Sequence, residues 1–204
     1  MKKILILASQ SPRRFEILKN AHYFFIPFPV YVSEIPQINL SLDNQIIDIA
    51  TRKAIACQQT FIDLGPEHII LASDTMVCID QVALGKPDDE NQAFEFLNLL
   101  SGRAHEVKTA IILIDQETKK LVSHIETTIV EFHKLTQSEI WDYIKTKEPM
   151  DKAGAYAIQG IGAKFVKSFS GEFNNVVGLP LQALEKLFTI NSWQFKRTSS
   201  QPNP

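Results

Sequence analysis

Short apolar runs of strand length alternate along this chain with amphipathic stretches of helix length, and the alternation predicts an α/β or α+β fold. Three observations carry that prediction. Ile4 to Ala8 is an unbroken apolar run closed at once by polar Ser9 and Gln10, the pattern of a short strand buried on both faces. Ile46, Ala50, Ala54, Cys57 and Phe61 recur three or four residues apart, the pattern of a helix with one apolar face. Val107 to Ile114 and Ile125 to Phe132 are two β-rich segments joined by the charged, turn-like stretch Asp115 to Lys120, an arrangement that suits an antiparallel hairpin.

The remaining elements follow in order. After the first strand, Ser11 suits a helix N-cap and Pro12 the first helical position, with Phe15, Leu18 and Ala21 at helical spacing behind Arg13 and Arg14. The long helix runs from Asn44 to about Leu64, which makes Cys57 a core residue. Ile69 to Ala72 and Met76 to Ile79 form a strand or a strand pair around the polar interruption Ser73-Asp74-Thr75. Asp89 to Leu100 is a helix with acidic residues in its first turn and Gly102 just beyond its end. Ser138 to Lys145 is a short helix, Ala163 to Phe169 a strand, and Pro180 opens a last helix through Leu181, Leu184, Leu187 and Phe188. Residues 1–190 are expected to make one domain. From Asn191 to Pro204 the chain is polar, so ordering it buries too little to offset the lost entropy, and a mobile tail is expected.

With 204 residues and 45% hydrophobic content, the chain can build one substantial core. A net charge of −2 opposes wide contact with a nucleic-acid backbone, which needs a dense cationic surface. Cys57 and Cys78 form no CxxC pair and have no histidine cluster beside them, so neither a disulfide framework nor a structural zinc site is suggested, and a reducing cytoplasm fits. The apolar run after Lys3 is too short for a secretory core of about 7–15 residues. Nothing approaches the roughly 18 apolar residues of a membrane span.

Several residues could carry chemistry. Ser9-Gln10-Ser11-Pro12-Arg13-Arg14 delivers a strand into a helix N-terminus, where N–H groups and two guanidinium groups suit phosphate oxygens; it also reads as an ordinary capped surface helix. Asp74 either ends a strand or presents a carboxylate at the mouth of a site. Glu34 could join it on a metal ion or be simply solvated. Lys53, Lys86 and Lys152 are cations of the kind a triphosphate recruits as point charges. Lys86 lies in a turn between Gly85 and Pro87, and Lys152 precedes Ala153-Gly154-Ala155, small enough for close ligand approach. Gly160-Ile161-Gly162-Ala163-Lys164 lacks the ending of a Walker loop and the third glycine of a dinucleotide fingerprint. No HExxH arrangement or GxSxG elbow occurs, and His105 reads as a structural residue flanking a strand.

These pieces stand in a recognisable order: LASQSPRR at Leu7 to Arg14, ASDTMV at Ala72 to Val77, LGKP at Leu84 to Pro87, LSGRAHEVKTA at Leu100 to Ala110, EPMDKAGAYAIQG at Glu148 to Gly160, and VVGLPL at Val176 to Leu181. Together the six blocks resemble the Maf family of nucleoside triphosphate pyrophosphatases, from about Ile4 to Phe188. The resemblance implies an α/β fold related to the inosine triphosphatase group, with a mixed twisted sheet, flanking helices and two lobes around a central cleft. It implies hydrolysis of a nucleoside triphosphate to the monophosphate and pyrophosphate, assisted by a divalent cation, Mg or Mn. Asp74 matches the family's proton acceptor, and Arg13, Thr75 and Gln159 match positions tied to substrate choice. Ser9, Arg14, Lys53, Lys86 and Lys152 fall at phosphate contacts, and Glu34 with Asp74 at the metal.

The DKAGAYAIQG block resembles the dTTP/UTP branch more than the 7-methyl-GTP branch, which usually has a different polar residue at the Gln159 position. This makes dTTP, UTP and modified pyrimidine nucleotides the expected substrates. The chain departs from the pattern at Gln81-Val82-Ala83, where the family has a glycine-containing turn, and at Phe173, where it often has tyrosine. The family name is also associated with a second reading, a nucleotide-binding regulator of cell division or septum formation that needs no turnover. The expected partner is the nucleotide, with no stable nucleic-acid complex and no membrane; a homodimer is left open.

Overall fold

The computed structural model describes residues 2–61 and 64–198. The elements are β1 (Ile4–Ala8), α1 (Pro12–Asn20), β2 (Phe25–Phe28), α2 (Leu42–Thr60), β3 (His68–Ile79), β4 (Val82–Leu84), α3 (Glu90–Leu100), β5 (Ala104–Asp115), β6 (Leu121–Phe132), α4 (Gln137–Ile144), β7 (Val166–Ser170), α5 (Phe173–Val177) and α6 (Leu181–Ile190). The strands hydrogen-bond in the order β2-β1-β3-β5-β6-β7, with β4 paired to β3. β1 is parallel to β2 and β3, whereas β4 on β3 and β7 on β6 are antiparallel. The sheet is therefore mixed; helices connect β1 to β2, β2 to β3, β4 to β5 and β6 to β7, while β3 to β4 and β5 to β6 are joined by short turns. By contacts the chain falls into two compact units, one holding the described residues up to Asp74, Ala110–Ile125 and those from Gly178 onward, the other Thr75–Thr109 and Glu126–Val177.

In the first unit, Leu5, Ile6 and Leu7 of β1 and Ile69, Ile70 and Leu71 of β3 are at most 1% exposed, which is why both strands read as continuous apolar runs. β2 escaped the sequence pattern because it lies at the end of the strand order, where Pro27 is tolerated and alternation is weak. α1 starts as expected: the Ser11 hydroxyl accepts from the Arg14 amide and Pro12 opens the first turn. α2 starts at Leu42, two residues before the expected Asn44, because Ser41 is the cap and Asn44 supplies the amide it binds, at 3.3 Å. It stops at Thr60, where Phe61 leaves the helix and packs on Phe28 with ring centroids 4.5 Å apart. Ile62 and Asp63 of the expected helix lie outside the described residues.

The stretch expected to be a mobile tail is ordered as far as it is described. Lys3 bridges to Phe195 and Tyr23 to Arg197. Phe195 is buried against Phe188, and the Arg197 guanidinium stands 3.5 Å over the Tyr23 ring. Its polar composition concealed the aromatic Trp193 and Phe195, whose burial and pairing offset the ordering entropy. The rest of the tail, 199–204, lies outside the described residues.

In the second unit, Val77, Leu97, Phe132, Tyr143 and Phe165 belong to one buried cluster. Asp89 caps α3, with its carboxylate accepting from the Gln92 amide at 2.8 Å, and Thr136 with Glu139 forms a reciprocal capping box on α4. The strand expected from Ala163 begins only at Val166. The Glu148 carboxylate accepts from the amides of Ile161 and Gly162, at 3.1 and 3.0 Å, and holds residues 161–165 in a 3-10 turn. β3 is one strand rather than a pair, and β4 turns back on it at once. The Ile79 to Val82 hairpin has positive φ at both Asp80 and Gln81, the geometry of a type I′ turn that ordinarily takes glycine. A carboxylate pair from Asp80 to Arg103 at 2.6 Å accompanies the strained turn.

His105 is structural, as its sequence context suggests. It is buried on β5, with Nε2 2.8 Å from the Tyr156 hydroxyl and its ring edge-on to Phe132. Cys57 and Cys78 are buried and not joined in a disulfide. Among the described residues no helix is long and apolar enough to cross a membrane.

Two outcomes follow from this geometry. Gln81→Gly should raise stability by about 0.5–1 kcal/mol in urea unfolding, since relief at positive φ exceeds the added freedom of the unfolded chain; a loss would show that the turn is unstrained. Burial pulls the His105 imidazole down to about 4, so the unfolded chain takes up its proton first. Its contribution is then complete above the unfolded value near 6.5 and is lost as pH falls towards 4. Between pH 7 and pH 5 the wild type should lose about 2 kcal/mol that His105→Gln does not lose; identical pH profiles would remove His105 from the titration.

Candidate active site

The strand order sets where a site can form. From β1 the chain passes through α1 to β2 on one side, and after α2 it enters β3 on the other side of β1. Connections that part in this way leave a crevice at the carboxyl ends of the parallel strands, where open α/β sheets bind ligands. Leu7 pairs with Leu71, so Ser9 on one strand and Ser73 and Asp74 on the other follow just beyond the last paired residues.

Lys53 is the centre of the first unit's polar residues. It projects from α2, is 7% exposed, and its ammonium lies 2.6 Å from Asp74 Oδ1 and 2.6 Å from Glu34 Oε1. The Asp74 carboxylate is largely buried and that of Glu34 is half exposed. Glu34 is held from behind by a residue that sequence reasoning missed. Arg52 donates to the carbonyls of Ser33 and Ile35, flanking Glu34, and pairs with Asp48 one helical turn earlier at 3.0 Å. The i, i+4 spacing of Asp48 and Arg52 was the available signal. Gln10, also missed, donates to the Val30 carbonyl at 2.5 Å and anchors the chain that leads to Glu34.

Ser9 and Arg14 form the other contact set of this unit. The Ser9 hydroxyl oxygen accepts from the Ser11 amide at 3.1 Å and from the Arg14 guanidinium at 3.3 Å. With both lone pairs engaged, its proton is left to donate, the role a phosphate oxygen requires. Arg14 is buried, and its Nε donates to the Gly178 carbonyl at 2.7 Å, which also accepts from Ser73 Oγ at 3.3 Å. Burial pulls the Arg14 guanidinium below its ordinary pKa, against the attraction of Asp74 and with the repulsion of Arg13; it stays charged at neutral pH. Arg13 is half-buried on the same first turn.

In the second unit Thr75 follows Asp74 on β3, and its Oγ1 lies 3.0 Å from Thr109 Oγ1. Lys86 is exposed in the loop after β4, and Gly85 of that loop accepts from the Gly154 amide at 3.0 Å. The loop carrying Lys86 is thereby tied to the one carrying Lys152. The tie needs glycine at 154: φ is +67°, and a Cβ there would stand 2.9 Å from Val77 Cγ1. Lys152 pairs with Asp151, and Gln159 is exposed in a bend at 158–160.

Asp74 and Glu34 are hard oxygen donors converging on one cation, which suits magnesium or manganese. Among the described residues no group of three or more His, Cys, Asp or Glu side chains forms a closed metal cage. A metal on these two carboxylates would complete its shell with water and phosphate oxygens, the usual habit of magnesium.

Buried cations and paired carboxylates at the ends of parallel strands suit the class of α/β proteins that handle phosphorylated ligands. The model of the family described as Maf-like protein matches residues 4–190, and the chain belongs to that family, as its six sequence blocks led us to expect. It is 50% identical over 190 residues to the dTTP/UTP pyrophosphatase of Bdellovibrio bacteriovorus, covering 93% of this chain and 99% of that one. It is 42% identical over 185 residues to the dTTP/UTP pyrophosphatase of Caldicellulosiruptor bescii, covering 89% and 92%. Among solved structures, the Staphylococcus aureus Ham1 protein aligns with a TM-score of 0.48 at 10% identity, covering 93% of this chain and 100% of that one.

A double-mutant cycle tests the centre of the site. Lys53→Met, Asp74→Asn and the double variant should show a coupling of about 1–2 kcal/mol in urea unfolding, below the figure for a fully buried pair because Asp74 retains some solvent. Additive effects would mean that the two side chains do not pair in solution.

Proposed function

We propose that this protein is a nucleoside triphosphate pyrophosphatase that hydrolyses dTTP and UTP to the monophosphate and pyrophosphate, with residues 1–190 working as one catalytic domain. The observation that carries the reading is the Glu34–Lys53–Asp74 cluster, in a chain half identical over nearly its whole length to a relative named for that reaction.

Asp74 takes a proton from the water that attacks the α-phosphorus. The new P–O bond forms as the bond to the bridging oxygen breaks, and pyrophosphate departs with that oxygen. Lys53 holds Asp74 in place. The Ser9 hydroxyl, Arg13, Arg14 and the N-terminus of α1 hold phosphate oxygens, and Lys86 and Lys152 offset charge on the leaving pyrophosphate. A magnesium or manganese ion on Glu34 and Asp74 would supply further neutralisation of the phosphates. Thr75 and the Gln159 amide meet the base, the amide offering a donor and an acceptor to a uracil or thymine edge. Two buried cysteines outside any disulfide fit a reducing cytoplasm.

The test is kcat/KM for release of pyrophosphate across natural and methylated nucleotides, with magnesium and manganese supplied. We expect dTTP and UTP to lead, and Asp74→Asn to lose about 100-fold or more while remaining folded. A preference for 7-methyl-GTP would overturn the substrate assignment, release of orthophosphate alone the reaction type, and near-normal turnover by Asp74→Asn the role of that residue. Tight binding without any turnover would hand the site to a regulator of cell division.

A further inference from the structure

Gly160-Ile161-Gly162 lacks the ending of a phosphate-binding loop, yet its amides hold an anion, and the anion comes from the chain itself. The Glu148 carboxylate accepts through Oε1 from the Tyr143 hydroxyl at 2.9 Å and the Gly162 amide at 3.0 Å, and through Oε2 from the Ile161 amide at 3.1 Å. Successive amides turned to one point form an anion-binding concavity. Burial raises the Glu148 carboxyl, but these donors outweigh it and hold the group below its ordinary value. The concavity is thus filled by an ionised side chain at neutral pH.

The fit is close enough to dictate residue types. At Gly160 φ is +82°, and a Cβ there would stand 2.9 Å from Glu148 Oε2. A Cβ on Gly162 would stand 2.6 Å from the Tyr143 hydroxyl oxygen and 2.8 Å from the Ala157 carbonyl oxygen. Ala157 and Gly162 therefore lie close together, with exposed Gln159 in the loop between them. Glu148 also opens the 3-10 turn that ends at Asp151, and its own carbonyl oxygen lies 3.5 Å from the Lys152 ammonium. The loop of Gln159 and the turn leading to Lys152 are anchored on one residue.

We infer that Glu148 is a positioning residue for substrate recognition: by occupying the amides of Ile161 and Gly162 it fixes the loop bearing Gln159 against the turn that leads to Lys152. This rests on the proposed placement of Gln159 at the substrate. Glutamine cannot take over the role. With its one carboxamide oxygen at the Oε1 position its NH2 faces the Ile161 amide, and with the oxygen at Oε2 the NH2 faces the Gly162 amide, donor against donor in both cases. An amide left unpaired away from water is costly, and the loop relieves that cost by opening.

The experiment measures kcat and KM for pyrophosphate release from UTP in wild type, Glu148→Ala, Gln159→Ala and the double variant, with thermal unfolding of each. Glu148→Ala should raise KM about fivefold or more and leave kcat within about twofold, the mark of lost binding rather than lost chemistry. Added formate, a carboxylate small enough to replace the missing one, should restore at least about half of that loss, and chloride at equal ionic strength should not. In the Gln159→Ala background, Glu148→Ala should add little, because the contact that it positions is already gone. An unchanged KM in folded Glu148→Ala overturns the inference, as do multiplying effects in the double variant or formate no better than chloride. Where Glu148→Ala does not fold, Tyr143→Phe removes one of the three donors and should raise KM in the same sense; an unchanged KM there overturns the inference. If Gln159→Ala raises KM and Glu148→Ala does not, the positioning role fails alone. If Gln159→Ala keeps the wild-type KM, or wild type releases no pyrophosphate from UTP or dTTP, the proposed reading of the site fails and the positioning role with it.

Discussion

Lys53 brings an ammonium group almost out of water, and such a charge is tolerable only where opposite charge meets it closely. Asp74 and Glu34 do so at 2.6 Å each. Much of the first unit's arrangement serves this contact. Ile46, Ile49, Ala50 and Ala54 bury the face of α2 that carries Lys53, Arg52 on the next position fixes the strand of chain bearing Glu34, and the apolar middle of β3 carries Asp74 into reach. Arg14 adds a second positive charge that acts on both carboxylates.

Arg14 depends on a different kind of support. Its guanidinium is desolvated like Lys53, and it donates to the Gly178 carbonyl and the Ser9 hydroxyl while Asp74 and Glu34 attract it through charge. Lys53 and Arg14 are thus two buried cations held differently, one in direct ion pairs with two carboxylates and the other hydrogen-bonded to a backbone carbonyl and a hydroxyl.

The fold was legible wherever one local signal dominated. The apolar run of β1, the Ser11 cap and Pro12 of α1, and the Asp89 cap of α3 each specify their element with little help from the rest of the chain. What the sequence concealed depends on partners distant along it. Glu148 shapes residues 161–165 from more than ten positions away, and Phe195 becomes ordered only because Phe188 and Tyr23 are already packed. In the candidate site, the residue types of Lys53, Asp74 and Glu34 were readable, but their convergence was not. Arg52 showed only its i, i+4 spacing from Asp48, because the backbone carbonyls that it binds leave no mark on sequence.

The polar triplet Ser73-Asp74-Thr75 also answers a question about register that the apolar residues leave open. Ile69 to Ala72 are buried on both faces of β3, so no alternation of apolar and polar residues distinguishes the native register from a slip by one residue. The partners of the triplet make that distinction. Successive side chains on a strand point to opposite faces: Ser73 donates to the Gly178 carbonyl while Asp74 meets Lys53. A slip by one would turn the Asp74 carboxylate towards that carbonyl, acceptor against acceptor, and leave the buried ammonium of Lys53 facing a hydroxyl in place of a charge. Both errors carry the cost of buried, mismatched polar groups. Asp74, which the proposed function places at the substrate, thus also helps to select the register of the strand on which it stands.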